Sequence, residues 1–253
     1  MRPIRIKGLT AALAFCVPAF SMALLVCQGQ ANSASTTEHG KDAPPLVKIT
    51  APANNSTENW NALVNYSVVV TWHGKSTEYQ EIPSNQVLIT ATYVPDLSKG
   101  SGEPAPATAP VPAGLLDIIR SGCVGCHEFK ARATGPSFAA IAQRYPDNQA
   151  TSDALARYIR EGSTGVWGQA SMPPHTELTD EQLHAIVHWI VKDAANPNVN
   201  YYVGTEGAMR MAAPATPSSR AGIILTATYT APVSTTNQQQ APHGEDSVIV
   251  HGK

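Results

Sequence analysis

The chain has 253 residues, of which 43% are hydrophobic and 14% are charged. This length allows one or two ordinary domains once an N-terminal leader is removed. The formal net charge is −2, and the sequence has no basic stripe of the kind that marks a nucleic-acid-binding protein, so no nucleic-acid partner is expected.

The first 31 residues are typical of an export signal. Arg2, Arg5 and Lys7 supply a positive start, and residues 9–26 then carry no charge and are mostly apolar. Small residues follow at plausible cleavage positions. We therefore expect residues 1–31 to be a leader that directs the protein to the periplasm.

Two alternatives for this leader remain open. An uncleaved leader would tether the protein to the membrane, although Pro18 interrupts the apolar stretch and disfavours a straight spanning helix. Residues 24–27 resemble a lipobox, in which Cys27 would carry a lipid anchor, although Val26 is larger than the usual residue before the cysteine. Residues 32–45 are small and polar, and they are expected to form a tether.

Residues 46–98 show the pattern of β-strands. A short strand is predicted at 46–49, residues 66–72 are β-branched and aromatic, and residues 86–94 alternate between two faces. Residues 99–112 then hold six glycines and prolines, and they are predicted to form a semi-stiff linker.

From residue 113 to residue 195 the apolar residues recur with a helical period. The first helix is expected over about 113–121. Two further stretches with a helical pattern indicate helices that begin near Ser137 and after Ser152. A last helix begins at a capping box made by Thr179 and Gln182. The segment is thus predicted to be an all-α domain.

Residues 196–253 return to a β pattern, with strands predicted at 223–230 and 247–251. The hexapeptide at 224–229 echoes the one at 88–93. Each β-rich segment alone is short for an independent core. We hypothesise that the helical domain is inserted between two parts of one immunoglobulin-like sandwich, which makes the chain an α+β multidomain protein. Two separate β modules, or one duplicated module, are the alternatives.

The strongest chemical signal is the pentapeptide Cys123-Val124-Gly125-Cys126-His127. This C-x-x-C-H pattern is typical of covalent haem attachment, in which each thiol adds across one haem vinyl group and the histidine meets the iron from the same side. A chance match in a chain of this length is on the order of one in a thousand. We therefore expect one haem c, bound covalently through Cys123 and Cys126.

Three other uses of these residues fit the pattern less well. A disulfide between Cys123 and Cys126 suits an exported protein, but it leaves His127 unexplained. A zinc site with His184 and His188 is disfavoured, because those histidines lie much further along the chain than finger spacing allows. A thioredoxin-like redox pair would need a preceding strand and a βαβ unit, and the pattern has neither.

A second iron ligand is expected downstream, in the loop before the last helix. Met172 lies in the sequence Ser171-Met172-Pro173-Pro174, where the prolines stiffen the loop. A core methionine that fills a gap is the alternative. Because histidine and methionine are the iron ligands of cytochromes c, His127 and Met172 are the expected pair.

With these residues in place, residues 122–194 resemble the short bacterial class I cytochromes c. The stretches that match, in order and at similar spacing, are 122–127, 135–137, 162–168 and 172–174. The resemblance implies that the Pro136 carbonyl accepts a hydrogen bond from the His127 ring. It also implies that the Trp167 indole points at a haem propionate and that Arg157 or Arg160 serves a propionate. At one position the chain departs from the pattern, since His175 stands where many relatives have asparagine.

The resemblance implies an electron carrier and not an enzyme. Iron bound by both His127 and Met172 has six ligands and no open site for a substrate. Redox proteins that donate and accept single electrons are therefore the expected partners. The layout also resembles cytochrome modules found beside periplasmic dehydrogenase domains, so a dehydrogenase or a respiratory chain is one candidate source of electrons.

Two alternative functions remain open. A five-coordinate haem would act as a gas sensor or a peroxidase, and this requires that Met172 does not bind the iron. In the other alternative the β-rich part docks a carbohydrate or a partner enzyme, and the haem relays electrons.

Overall fold

The computed structural model describes residues 43–99, 110–213, 216–232 and 241–253. The predicted leader at 1–31, most of the tether and most of the linker at 99–112 lie outside the described residues. Within the described ranges, no helix has the length and apolar character needed to cross a membrane.

The β-rich part of the described chain forms two sheets. In one sheet the central strand is β3, with β1, β4 and β7 beside it; the order of the other is β2-β9-β8-β5-β6. Buried and outward-facing residues alternate along β3, as expected where one face of a sheet covers a core. The strands are β1 (Leu46–Ala51), β2 (Ser56–Glu58), β3 (Leu63–Trp72), β4 (Lys75–Ser76), β5 (Val87–Val94), β6 (Val199–Val203), β7 (Glu206–Arg210), β8 (Gly222–Thr230) and β9 (His243–Gly252).

Strands from both sides of the helical segment pair within each sheet. β3 pairs antiparallel with β7, and β5 pairs antiparallel with both β6 and β8. The echoing hexapeptides lie in the neighbouring strands β5 and β8, where Ile89 faces Ala227. Buried residues of both segments, among them Val70, Ile89 and Leu225, share one core. The two β-rich segments therefore form one β body and not two separate modules.

Among the described residues, four α-helices lie between β5 and β6, in the segment where the sequence predicts helices. They are α1 (Ala113–Arg120), α2 (Phe138–Arg144), α3 (Gln149–Glu161) and α4 (Asp180–Asp193). The predicted capping box of α4 is confirmed, with Thr179 and Gln182 bonding reciprocally. The start predicted for α3 is wrong: the helix begins before Ser152, because the side chain of Asn148 accepts a hydrogen bond from the Thr151 N–H at 2.9 Å and caps it.

The helical domain packs on the face of the second sheet that points away from the β core. Leu88 of β5 and Tyr201 and Val203 of β6 belong to the apolar cluster of the helices. The Tyr201 ring lies 5.3 Å from the ring of Phe129 and 5.5 Å from that of Trp189, measured between centroids. The interface is therefore largely apolar and aromatic.

Two cations add polar links beside this apolar contact. The Arg120 guanidinium donates to the carbonyls of Thr230 and Ala231, at 3.1 and 3.3 Å. The Lys130 ammonium donates to the carbonyls of Ala194 and Asn196, at 2.8 and 2.7 Å, where α4 leads into β6. The Arg120 contacts join the helical domain to the end of β8, and the Lys130 contacts fix the segment between α4 and β6.

Candidate functional site

The cysteine-histidine motif forms one tight turn at the end of α1. Gly122 has a φ of +72°, a left-handed conformation that glycine adopts without strain, and a 3₁₀ turn over Cys123–Gly125 follows. The N–H groups of Cys126 and His127 both donate to the Cys123 carbonyl, at 3.1 and 2.9 Å. Cys123 and Cys126 are not joined in a disulfide. Two thiols and one imidazole are thus presented from five consecutive residues.

The His127 ring is oriented by its neighbours. Its Nδ1 lies 2.7 Å from the Pro136 carbonyl oxygen, which can only accept, so Nδ1 carries the proton and donates. The contact implied by the family resemblance is therefore present. A Cβ on Gly135 would lie 2.5 Å from Cε1 of the ring, so glycine is required there, and Phe138 stacks on the ring at 5.4 Å. With Nδ1 engaged, Nε2 keeps a lone pair that can bind a metal.

Met172 lies in a loop that is pinned to the end of α3. It makes a two-bond antiparallel bridge with Ser163, in which the Met172 N–H donates at 2.8 Å and its carbonyl accepts at 3.1 Å. Gly162 has a φ of +80°, and a Cβ there would approach the Met172 carbonyl oxygen to 2.7 Å. The His175 N–H donates to the Ile159 carbonyl at 3.0 Å. The half-buried Met172 side chain packs against the helical core.

Cys123, Cys126, His127 and Met172 line one open cleft in the helical domain. Most of the other lining side chains are apolar, including Phe138, Leu155, Ile159, Ile186, Val187 and Ile190. Two thiols, one imidazole with a free nitrogen, one thioether and an apolar wall form a donor set that fits a haem. In the described ranges, no group of three or more His, Cys, Asp or Glu side chains could hold a metal ion. His184 and His188 lie exposed on α4, and His184 contacts Ser152 at 3.2 Å.

Burial sets the protonation of one thiol. It raises the pKa of Cys123 to about 11, so that this thiol is protonated at neutral pH in the haem-free chain. The pKa of Glu177 lies below its usual range, because its own backbone N–H and the ring of His175 donate to the carboxylate. The His175 ring also lines the cleft.

The arginines that contact the Trp167 segment are not the two that the resemblance implied for a haem propionate. Trp167 lines the cleft, as expected. Arg157 is exposed on α3, with its guanidinium 5.9 Å from the Tyr158 ring, and Arg160 forms an ion pair with Asp180. Neither arginine is among the described residues that line the cleft.

The two arginines that contact the Trp167 segment are Arg132 and Arg144. The Arg144 guanidinium lies 4.5 Å from the Trp167 ring and donates to the Val166 carbonyl at 3.1 Å. Arg132 donates to the Trp167 carbonyl at 3.0 Å. These contacts join segments that are distant in sequence, so no local pattern could have indicated them.

Comparison with known proteins places the similarity in the helical domain. The family model that matches is described as cytochrome c, and it covers residues 117–193. Cytochrome c-552 of Hydrogenobacter thermophilus is 38% identical over 72 residues, which is 28% of this chain and 72% of the relative. Cytochrome c-551 of Allochromatium vinosum is 34% identical over 83 residues, which is 32% of this chain and 88% of the relative.

Among solved structures, the crystal structure of wild-type Nitrosomonas europaea cytochrome c552 is similar to this chain. The identity is 34%, and the match covers 30% of this chain and 94% of that chain, with a TM-score of 0.29. All of these matches involve about a third of the chain.

Proposed function

This chain belongs to the cytochrome c family, and we propose that it is an exported carrier of single electrons. Its cofactor is one covalently attached haem c, as in its class I relatives. When bound, the haem supplies a reversible one-electron couple between ferrous and ferric iron. In this proposal Cys123 and Cys126 hold the haem through thioether bonds, and His127 and Met172 ligate the iron.

One observation carries the proposal: an oriented imidazole and a fixed thioether line the same cleft as the two thiols. Donation to the Pro136 carbonyl fixes the tautomer and plane of His127, which keeps Nε2 available for iron. The bridge to Ser163 sets the backbone position of Met172. With both ligands in place the iron has no vacant position, which favours electron transfer over chemistry on a bound substrate.

The pinned Met172 loop also bears on the five-coordinate alternative. A gas sensor or peroxidase would need Met172 away from the iron. The bridge to Ser163, the close approach of Gly162 and the bond from His175 to Ile159 all oppose such a displacement. These contacts favour the six-coordinate carrier.

Redox partners are proposed to dock at the mouth of the cleft. The exposed residues that line it include Thr134, Thr164, Ala170, Ser171 and Pro173, none of which carries a charge. An uncharged contact surface gives little long-range electrostatic steering, so association should depend weakly on ionic strength. A periplasmic or membrane dehydrogenase and a respiratory chain are candidate partners.

We further infer that the β body is an immunoglobulin-like sandwich that helps to dock such a partner. In support, sheets of four and five strands enclose one core of alternating residues, and among the described strands only the contact between β2 and β9 is parallel. In this inference residues 46–98 and 196–253 form the sandwich, and residues 113–195 form the haem domain.

The proposal places the protein in the periplasm. Residues 1–31 supply the export signal, and the N-terminal alternatives are a lipid on Cys27 or an uncleaved tether. Mass spectrometry of the mature N-terminus separates these three outcomes, since each leaves a different first residue or a different mass.

Reduced-minus-oxidised spectroscopy tests the proposed function. The full chain, with its leader, would be produced in a bacterium that attaches haem in the periplasm. We expect a reversible, low-spin c-type spectrum and a haem that stays attached after denaturation. A high-spin ferrous spectrum that changes on adding carbon monoxide would instead indicate a sensor or peroxidase. Pull-down from the native host would then identify the donor and acceptor.

A further inference from the structure

We propose that Arg132 and Arg144 form a clamp on the loop of residues 163–172, and that this clamp keeps Met172 on the haem iron. The proposal rests on the function proposed above, because it requires that Met172 is an iron ligand. The two arginines act as positioning residues, since they contact the loop and not the reacting atoms.

The loop is closed at its base by contacts between its own ends. Ser163 and Met172 exchange two backbone hydrogen bonds, and the hydroxyls of Thr164 and Ser171 lie 3.1 Å apart. These contacts fix the two ends relative to each other. They do not attach the far end of the loop, around Val166 and Trp167, to the rest of the domain.

The far end is attached by the arginines. Arg144, in the last turn of α2, donates to the Val166 carbonyl at 3.1 Å and lies over the Trp167 ring at 4.5 Å. Arg132 donates to the Trp167 carbonyl at 3.0 Å. A planar guanidinium can donate and stack at the same time, which a lysine ammonium cannot do. The loop is thus held at its base and at two points on its far end.

Arg132 also connects the two segments that carry the proposed iron ligands. It lies between His127 and Pro136, in a segment held by the bond from the Gly135 N–H to the Cys126 carbonyl at 2.8 Å. Through Arg132, the segment that follows His127 is therefore joined directly to the loop that ends at Met172. Opening the loop must break this link before Met172 can move away from the cleft.

Retention of the methionine should depend on this link. A thioether is a neutral, weak donor to ferric iron, so its binding depends on the protein holding it in place. A hydrogen bond between a guanidinium and a carbonyl contributes a modest net free energy, and both arginines are exposed to solvent. We therefore expect each arginine to slow loop opening by about fivefold, and the pair by about 25-fold if they act independently.

Displacement of Met172 by added imidazole measures the opening directly. In the ferric holoprotein, at saturating imidazole, the exchange rate is limited by the loss of Met172. The variants are Arg132→Gln, Arg144→Gln, the double variant, and Arg144→Lys, which keeps the charge but loses the fork. Lys75→Gln is the matched control, because it removes an exposed positive charge from β4, outside the helical domain. The urea midpoint of each variant shows whether the global fold has changed.

We expect faster exchange in Arg132→Gln, Arg144→Gln and the double variant, at unchanged urea midpoints. The exchange rate of Arg144→Lys should be intermediate, and that of the control variant should lie within twofold of the wild-type rate. Equal rates in the wild type and the double variant would overturn the clamp. A control as fast as Arg144→Gln would also overturn it, because a general charge effect would then explain the rates. If the wild type itself lacks the methionine–iron charge-transfer band, the ligation of Met172 fails, and the clamp fails with it for that separate reason.

Discussion

Removal of the covalent haem should destabilise the β body as well as the helical domain. The perturbation is the double variant Cys123→Ser/Cys126→Ser. The core of the helical domain lines the haem cleft, so without haem we expect this domain to be largely unfolded, as in proteins whose folding is coupled to a bound metal. The effect on the β body follows from strand pairing, because Thr92 of β5 pairs with Val199 of β6 across the whole helical segment.

Two contributions set the size of this effect. With the helical domain unfolded, pairing β5 with β6 closes a loop of about 100 residues instead of a short turn, which costs about 3 kcal/mol by loop-closure entropy. Leu88 and its neighbours on β6 also lose their apolar cover, and re-exposing one leucine costs about 1.5–3 kcal/mol. The sum is about 5 kcal/mol, which is comparable with the whole stability of a small domain.

Hydrogen exchange followed by mass spectrometry measures the amide protection of the β body separately from that of the helical domain. In the haem-free variant, we expect the amides of β8 and β9 to exchange faster than in the holoprotein by about 10³- to 10⁴-fold. The matched control is Met172→Ala, which should keep the haem attached and should leave the protection of β8 and β9 within about tenfold of the wild type. Unchanged protection of β8 and β9 in the haem-free variant would refute the coupling between the two bodies.

Four further outcomes are expected. Met172→His should lower the reduction potential, because imidazole favours ferric iron more than a thioether does; an unchanged potential and spectrum would exclude Met172 as the ligand. Gly135→Ala should reduce the yield of haem-loaded protein, since its Cβ would overlap the His127 ring, and a normal yield would contradict this packing. Electron exchange with an isolated partner should change little with ionic strength, and a steep salt dependence would point to a charged docking surface. When mild denaturant opens the loop, the imidazole of His175 should displace Met172, so His175→Asn should keep the methionine–iron band to a higher denaturant concentration; loss of the band at the same concentration in both proteins would rule out His175.

The local patterns of the sequence predicted the helices well, and they were enough to raise the ligand hypothesis. The C-x-x-C-H motif, the Met172 loop and the Thr179–Gln182 capping box depend on neighbours in sequence, so their chemistry can be recognised without a fold. The echo between β5 and β8 was visible too, although the sequence alone left open whether these segments pair with each other.

Contacts between distant segments could not be predicted in this way. The positions of Arg132 and Arg144 depend on how α2 and the segment after His127 approach the Met172 loop. The family resemblance implied Arg157 or Arg160 as a propionate contact, and no local pattern pointed to Arg132 or Arg144. The early start of α3 was missed because Asn148 competes with Ser152 as an N-cap, and only the folded backbone decides between them.

The central claim is that Met172 is the sixth ligand of an iron that only exchanges electrons. The most direct measurement is the near-infrared spectrum of the ferric holoprotein, compared between the wild type and Met172→Ala. We expect a methionine–iron charge-transfer band in the wild type and its loss in the variant. A wild-type spectrum without that band, with the features of five-coordinate high-spin iron, would contradict the claim.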